Sequence, residues 1–234
     1  MYETILRTDT DLFLWLNSFH NGFWDIFMSL SSGRWIWLGL YFAIVISLWK
    51  EYGWKSMIII SLMCGLMVFL ADQFTASLLR PYFGRLRPSH EESPISHLVH
   101  LVEGYRGGSY GFPSCHAANT FAVATLLTLC FRRLYFGIGI FFWAIVNCYS
   151  RAYLGLHYPG DLIVGMIIGA CCGLLGYCCL SIPLIRQILN KEKNAWNRRY
   201  FIKGREIVFK ASDIVIYVEI LTFLIILLYA AIMS

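Results

Sequence analysis

The sequence is dominated by apolar runs that recur near residues 35–49, 56–79, 114–131, 134–150, 161–182 and 213–233. Roughly 20 helical residues cross the hydrocarbon core of a bilayer, and backbone polar groups inside it must bond within their own segment. A chain patterned this way is expected to be all-α, an integral membrane helical bundle of about six transmembrane helices. Composition agrees, because 58% of the residues are hydrophobic and only 14% are charged, against about 25% charged in an ordinary soluble domain. That deficit excludes a soluble globular domain, a disordered chain and a coiled coil. Residues 1–234 are expected to form a single membrane domain. Residues 10–31 are apolar but interrupted by Asn17, His20, Asn21 and Asp25. They read as an N-terminal amphipathic segment in the interface or re-entering it, with an irregular seventh span as the other reading. The start Met1-Tyr2-Glu3-Thr4 lacks the cationic region of a secretory signal, so the first span is expected to do the targeting.

Cations sort by loop. Of the 19 Lys and Arg, twelve fall in the connections after the first, third and fifth runs, most of them in a basic linker at 186–210. The positive-inside rule places those connections in the cytoplasm, where the linker meets anionic headgroups; a nucleic-acid partner is not expected. Loops 80–113 and 151–160 then face outward, yet both are rich in arginine. Guanidinium groups kept where topology disfavours them point to an anionic ligand. Gly165, Gly169 and Gly173 recur every four residues on the fifth run, which gives a helix a smooth face for close packing.

The polar residues concentrate in three blocks at the outward ends of spans: Arg80 to Pro88, Phe112 to His116, and Ser150 to Asp161. Short loops between antiparallel helices can bring these ends to one pocket at headgroup depth. There Arg80, Arg87 and Arg151 offer planar forks for phosphate oxygens, and Ser114, with backbone N–H groups such as that of Cys115, adds donors at a helix start. Asp161 lies four residues after His157, so it can curl back to the imidazole and fix its tautomer, as in a triad. His157 is then a candidate nucleophile, and His116 a candidate acid for the leaving oxygen. In the reaction these residues imply, His157 attacks phosphorus, His116 protonates the leaving group, and His116 then activates water. No metal and no cofactor is required. Each residue also has a plainer reading: Arg-rich loops touch headgroups, and Asp161 can simply complement a helix dipole.

The pattern R-x6-R-P, then P-S-C-H, then S-R-x5-H-x3-D resembles the three-part signature of the type 2 phosphatidic acid phosphatases. These membrane lipid phosphatases share an active-site plan with vanadium haloperoxidases and bacterial acid phosphatases. The resemblance implies that Arg80, Arg87, Ser114 and Arg151 bind phosphate, that His157 is the nucleophile, His116 the acid and Asp161 the orienter. Two positions depart from it. Arg80 stands where the family usually has Lys, and Cys115 where it usually has Gly, which adds a Cβ beside the phosphate and a thiol that either packs or confers sensitivity to thiol reagents.

Loop 89–111 carries Tyr105, Arg106 and Tyr110 as candidate headgroup contacts, with glycines that let its far half move. Its His97-x2-His100-x2-Glu103 spacing is a weaker candidate for metal ligands, since no fourth ligand is evident. The expected function is hydrolysis of a lipid phosphomonoester or pyrophosphate at the periplasmic face of a bacterial inner membrane. Undecaprenyl pyrophosphate and lipid A lead as substrates, ahead of phosphatidylglycerophosphate and phosphatidic acid. A lipid phosphotransferase is the rival within enzymology. A transporter or lipid-binding protein is the rival outside it, and Asp72 and Glu219 are the acidic mid-span residues such a path would use. The oligomeric state is not legible.

Overall fold

The structure, a computed structural model, describes residues 2–183, 185, 187, 189, 197–202 and 205–234. Helix α1 (Tyr2–Asn17) leads through a short turn to α2 (Gly22–Ser32), whose start is capped by Asn21 accepting from the Trp24 N–H at 2.9 Å. A 3-10 turn, Trp35–Trp37, then opens α3 (Leu38–Tyr52). Gly53, at φ +82°, makes the reversal into α4 (Trp54–Gln73), a backbone angle that glycine adopts freely. That helix continues through a π turn, Phe74–Leu79, into a last turn, α5 (Arg80–Phe83). Loop 84–114 follows, then α6 (Cys115–Phe131), α7 (Leu134–Tyr153) and α8 (Pro159–Leu180). The chain ends in α9 (Ala211–Met233).

The six expected runs correspond to α3, α4, α6, α7, α8 and α9. By length and apolarity alone, Trp54–Phe83, Pro159–Leu180 and Ala211–Met233 each suffice to cross a membrane. Gly22–Ser32 and Trp35–Tyr52 qualify together but bend by 68°. The segment expected to lie in the interface is thus divided: α1 stands alone, and α2 is the first half of a bent pair. The all-α expectation has one exception, an antiparallel hairpin of β1 (Asn197–Ile202) and β2 (Arg205–Lys210), with Asn197 opposite Lys210 and Ile202 opposite Arg205. It falls within the expected basic linker, of which Arg186, Lys191, Lys193 and Lys203 lie outside the described residues.

Helices α6 and α8 form the tightest pair. A Cβ built on Gly165, Gly169 or Gly173 would sit 2.4, 2.2 and 2.6 Å from the carbonyl oxygens of Ser114, Ala118 and Ala122. The two backbones are therefore in contact, which only hydrogen in place of a side chain allows. Large apolar side chains such as Ile138, Phe142, Ile163, Ile167 and Leu174 remain exposed on the outside, as a lipid-facing surface requires. At the end of the bundle away from the three blocks, Arg133 donates to Glu51 at 2.7 Å and to Ser212 at 2.6 Å, tying α3, α7 and α9 together. Among the described residues, the connections sorted by charge to one face meet at one end through Glu51, Arg133 and Ser212.

Candidate active site

His157 lies in the turn between α7 and α8, 1% exposed. Pro159 at the first position of α8 starts that helix, and its missing N–H costs nothing there. The Asp161 carboxylate, one turn in, accepts from the Tyr158 N–H at 3.0 Å, and its Oδ2 faces His157 Nδ1 at 3.5 Å. On the other side of the ring, Nε2 is 3.1 Å from Arg87 Nη1. A guanidinium only donates, so Nε2 is the acceptor and the ring proton belongs on Nδ1, toward Asp161. Burial, and then the charges of Arg87, Arg151 and Arg80, hold the His157 pKa well below its usual 6.5. The imidazole is neutral, with its lone pair on Nε2.

The three arginines come from three elements. Arg87, 7% exposed, follows α5 and is anchored by donating from Nη1 to the Leu156 carbonyl at 3.0 Å. Burial pulls its pKa below the ordinary guanidinium value. Arg80, on α5, donates from Nε to the Pro113 carbonyl at 3.2 Å and so joins the first block to the second. Arg151, on the last turns of α7, donates to Ser32 Oγ at the end of α2. Within this group the Nε–H donors of Arg87 and Arg151 are buried without a protein partner, as is His157 Nδ1. Buried donors are almost always satisfied, so two unpartnered guanidinium N–H groups in the surroundings of His157 mark a place for an anion.

Ser114 caps α6, its Oγ accepting from the Ala117 N–H at 3.4 Å, while its own N–H goes to the Asp161 carbonyl at 3.0 Å. The Ser114 N–H is therefore already used, and the open first turn leaves the N–H groups of Cys115 and His116. The thiol of Cys115 turns the other way, 3.0 Å from Thr75 Oγ1 in the π turn, and is buried; it packs. His116 is exposed and stands near Arg151, His157, Arg87 and Arg80. Residues between positions 80 and 161 are thus brought together around His157.

Loop 89–111 is more tightly held than its glycines imply. Arg106 donates to the Ser89 carbonyl at 2.5 Å and to Ser96 Oγ at 2.8 Å, while Ser89 Oγ donates to the Arg106 carbonyl at 2.7 Å. The Arg106 side chain, expected as a headgroup contact, braces the loop through its Nη1. Tyr105 and Tyr110 are exposed at 62% and 45%, and Tyr105 lies near both Arg87 and Arg151. His97, His100 and Glu103 do not share a helical face, because Ser96–Leu98 and Val102–Gly104 are separate 3-10 turns with extended backbone between them. His100 instead pairs through Nε2 with Asp25 Oδ1 at 2.9 Å. Among the described residues no group of three or more His, Cys, Asp or Glu is placed to hold a metal.

Sequence reasoning missed the groups that brace the site from afar. Arg85 donates to Asp161 Oδ1 at 2.8 Å and to Asp9 Oδ2 of α1 at 2.7 Å. Asn17 bonds the Tyr153 carbonyl at 2.7 Å and the His100 N–H at 2.7 Å, and Tyr153 donates to Asp25 at 2.6 Å. The only signal was that the N-terminal run carries polar residues too regularly for a plain apolar helix. Of the mid-span acids, Asp72 accepts from Asn119 at 3.3 Å and Glu219 is buried in α9; neither belongs to the arginine cluster.

Residues 57–182 match the PAP2 superfamily. A lipid A 4'-phosphatase of Bacteroides thetaiotaomicron is 41% identical over 234 residues, all of both chains. A second, of Porphyromonas gingivalis, is 35% identical over 177 residues, 75% of this chain and 74% of its own. The crystal structure of Aquifex aeolicus LpxE superimposes with a TM-score of 0.54 at 24% identity, covering 71% of this chain and 93% of that one. At that identity the likeness concerns the fold.

Proposed function

The chain belongs to the PAP2 superfamily and is a membrane lipid phosphatase, and from that premise we propose that it removes a phosphate from lipid A, at the 4' position, through a phosphohistidine at His157. The observation that carries the chemistry is the pair of buried, unpartnered Nε–H donors of Arg87 and Arg151 around the neutral His157 ring. Full-length similarity to a lipid A 4'-phosphatase supports the choice of substrate.

Substrate phosphate enters between the arginines, taking the free Nε–H groups and the first-turn N–H groups of α6. Arg87 Nη1 gives up Nε2 for a phosphate oxygen, which frees the lone pair for attack. The charge then developing on the ring sits against Asp161. Negative charge on the equatorial oxygens meets Arg80, Arg87 and Arg151, already oriented by Pro113, Leu156 and Ser32. His116 protonates the leaving oxygen, a contribution typically worth about 10²–10⁴ in rate, then takes a proton from the water that cleaves the phosphohistidine. The chain's own residues complete this cycle without a metal. The pocket faces the periplasm and the acyl chains stay in the bilayer. Tyr105 and Tyr110 stand where the sugar headgroup passes.

The test is release of orthophosphate by the purified protein in detergent from a panel of lipid A, undecaprenyl pyrophosphate, phosphatidylglycerophosphate and phosphatidic acid. Lipid A should lose its 4'-phosphate fastest. A preference for undecaprenyl pyrophosphate overturns the substrate assignment and keeps the mechanism.

A further inference from the structure

The mechanism above leaves Arg85 and Asp9 without a task, although they form the shortest ionic contacts at the site. Arg85 spans two carboxylates, Asp161 at 2.8 Å and Asp9 at 2.7 Å. Asp9 Oδ1 also accepts from the Gly160 N–H at 2.7 Å, and a Cβ at Gly160 would come within 2.9 Å of Asp9 Oδ2. Only glycine lets the carboxylate approach so closely. Helix α1 is seated there by Phe13, fully buried and edge-on to the Tyr158 ring at 5.4 Å, while the Arg85 guanidinium lies 3.9 Å above the centre of that same ring.

The charges explain why two acids are needed. Asp161 must stay anionic toward His157, because the ring becomes cationic once its Nε2 bonds phosphorus. Paired with Arg85 alone, Asp161 would be neutralised. With Asp9 present, two carboxylates and one guanidinium leave one net negative charge beside Nδ1. We propose that Asp9, on the N-terminal helix, is a positioning residue for phosphoryl transfer, which occupies Arg85 and so keeps the Asp161 carboxylate free to stabilise the charged His157 ring. The proposal rests on the reading of His157 as nucleophile.

The other ionisable groups facing His157 are Arg80 on α5, Arg87 in the following loop, His116 on α6 and Arg151 on α7. All but the neutral form of His116 oppose a cationic ring, so the anionic contribution from α1 and α8 has no substitute. Asp9→Asn keeps the shape and one acceptor oxygen, and so one of the two hydrogen bonds made to Gly160 and Arg85, while it removes the charge. It should lower kcat roughly tenfold, about 1.4 kcal/mol of transition-state stabilisation, with KM within about twofold of the parent. Losing a negative charge disfavours the imidazolium, so the acid limb of kcat/KM should move to lower pH. Asp9→Glu should recover most of the rate and return the limb. Parent kcat in Asp9→Asn overturns the proposal. So do equal losses in Asn and Glu variants with an unmoved limb, which describe a structural peg. Activity that survives His157→Ala contradicts the reading of the site itself, and that parent-background control separates the two failures.

Discussion

His157 can attack only if its Nε2 lone pair is both present and reachable, and the structure arranges the first condition through the second. Arg87 donates to Nε2 at 3.1 Å, which fixes the tautomer and hands the nitrogen to phosphorus when the guanidinium turns to the substrate. His157→Ala should abolish turnover while leaving membrane insertion intact, checked by orthophosphate release from detergent-purified protein. Asp161→Asn should lower kcat by about 10²-fold or more with phosphate affinity nearly kept, because Arg80, Arg87 and Arg151 are held by Pro113, Leu156 and Ser32; equal losses in both would mark a structural role. The depressed His157 pKa has a definite sign. A neutral ring is required, so the acid limb of kcat/KM should lie below pH 6.5, at the lowered value, once the substrate's own ionisation is corrected for. A limb centred at or above 6.5 contradicts it. At this scale the sequence was informative where chemistry is local. His157 and Asp161 share one helical turn, and arginine among outward loops has few other reasons to exist. It was blind to Arg106 and Arg85, two arginines in similar loops, because a brace and a binder differ only in what lies opposite them. It was equally blind to Asp9, whose partners are more than 70 residues away.

Among the elements, the contact of α6 with α8 sets the distance between the second and third blocks. Ser114 and His116 open one helix, Asp161 the other, and the Gly165, Gly169 and Gly173 face joins them. Gly169→Val would place a Cβ about where the Ala118 carbonyl already is, 2.2 Å away. The helices must part, at a cost of about 1–3 kcal/mol. Thermal denaturation in detergent should show that loss, together with a drop in kcat, since the rings and arginines separate with the helices. An unchanged melting point would mean the close approach is not needed. The six apolar runs were legible because span length is dictated by bilayer thickness. The α2–α3 bend and the π turn were not. In the π turn, Thr75 Oγ1 bonds the Ala71 carbonyl at 2.7 Å and the Asp72 carbonyl at 3.0 Å, a local competition with the helix ladder that one threonine in an apolar run does not announce.

Taken whole, the molecule places its polar groups at two ends and its apolar side chains around the waist. One end holds the arginine cluster, with α1 packed beside it through Asp9 and Phe13. The other holds the Arg133 links to Glu51 and Ser212, with Lys50 and Lys55 in the same connections. If the positive-inside rule sets the orientation, a cysteine introduced at Glu91 in loop 89–111 should react with a membrane-impermeant thiol reagent in intact cells, and one at Lys55 only after permeabilisation. The reverse labelling would put the pocket in the cytoplasm. Hydrolysis in EDTA should equal that without it, since the arginines and histidines do the work of a Lewis acid; loss reversed by a divalent cation would require a metal the proposed cycle does not use. The central claim is a covalent bond between phosphorus and one imidazole. Purified protein mixed with lipid A, quenched at alkaline pH within a turnover and mapped by peptide mass spectrometry, should carry phosphate on His157 and on no other residue. Phosphate on His116, or full turnover with no phosphorylated peptide at any quench time, would contradict the account.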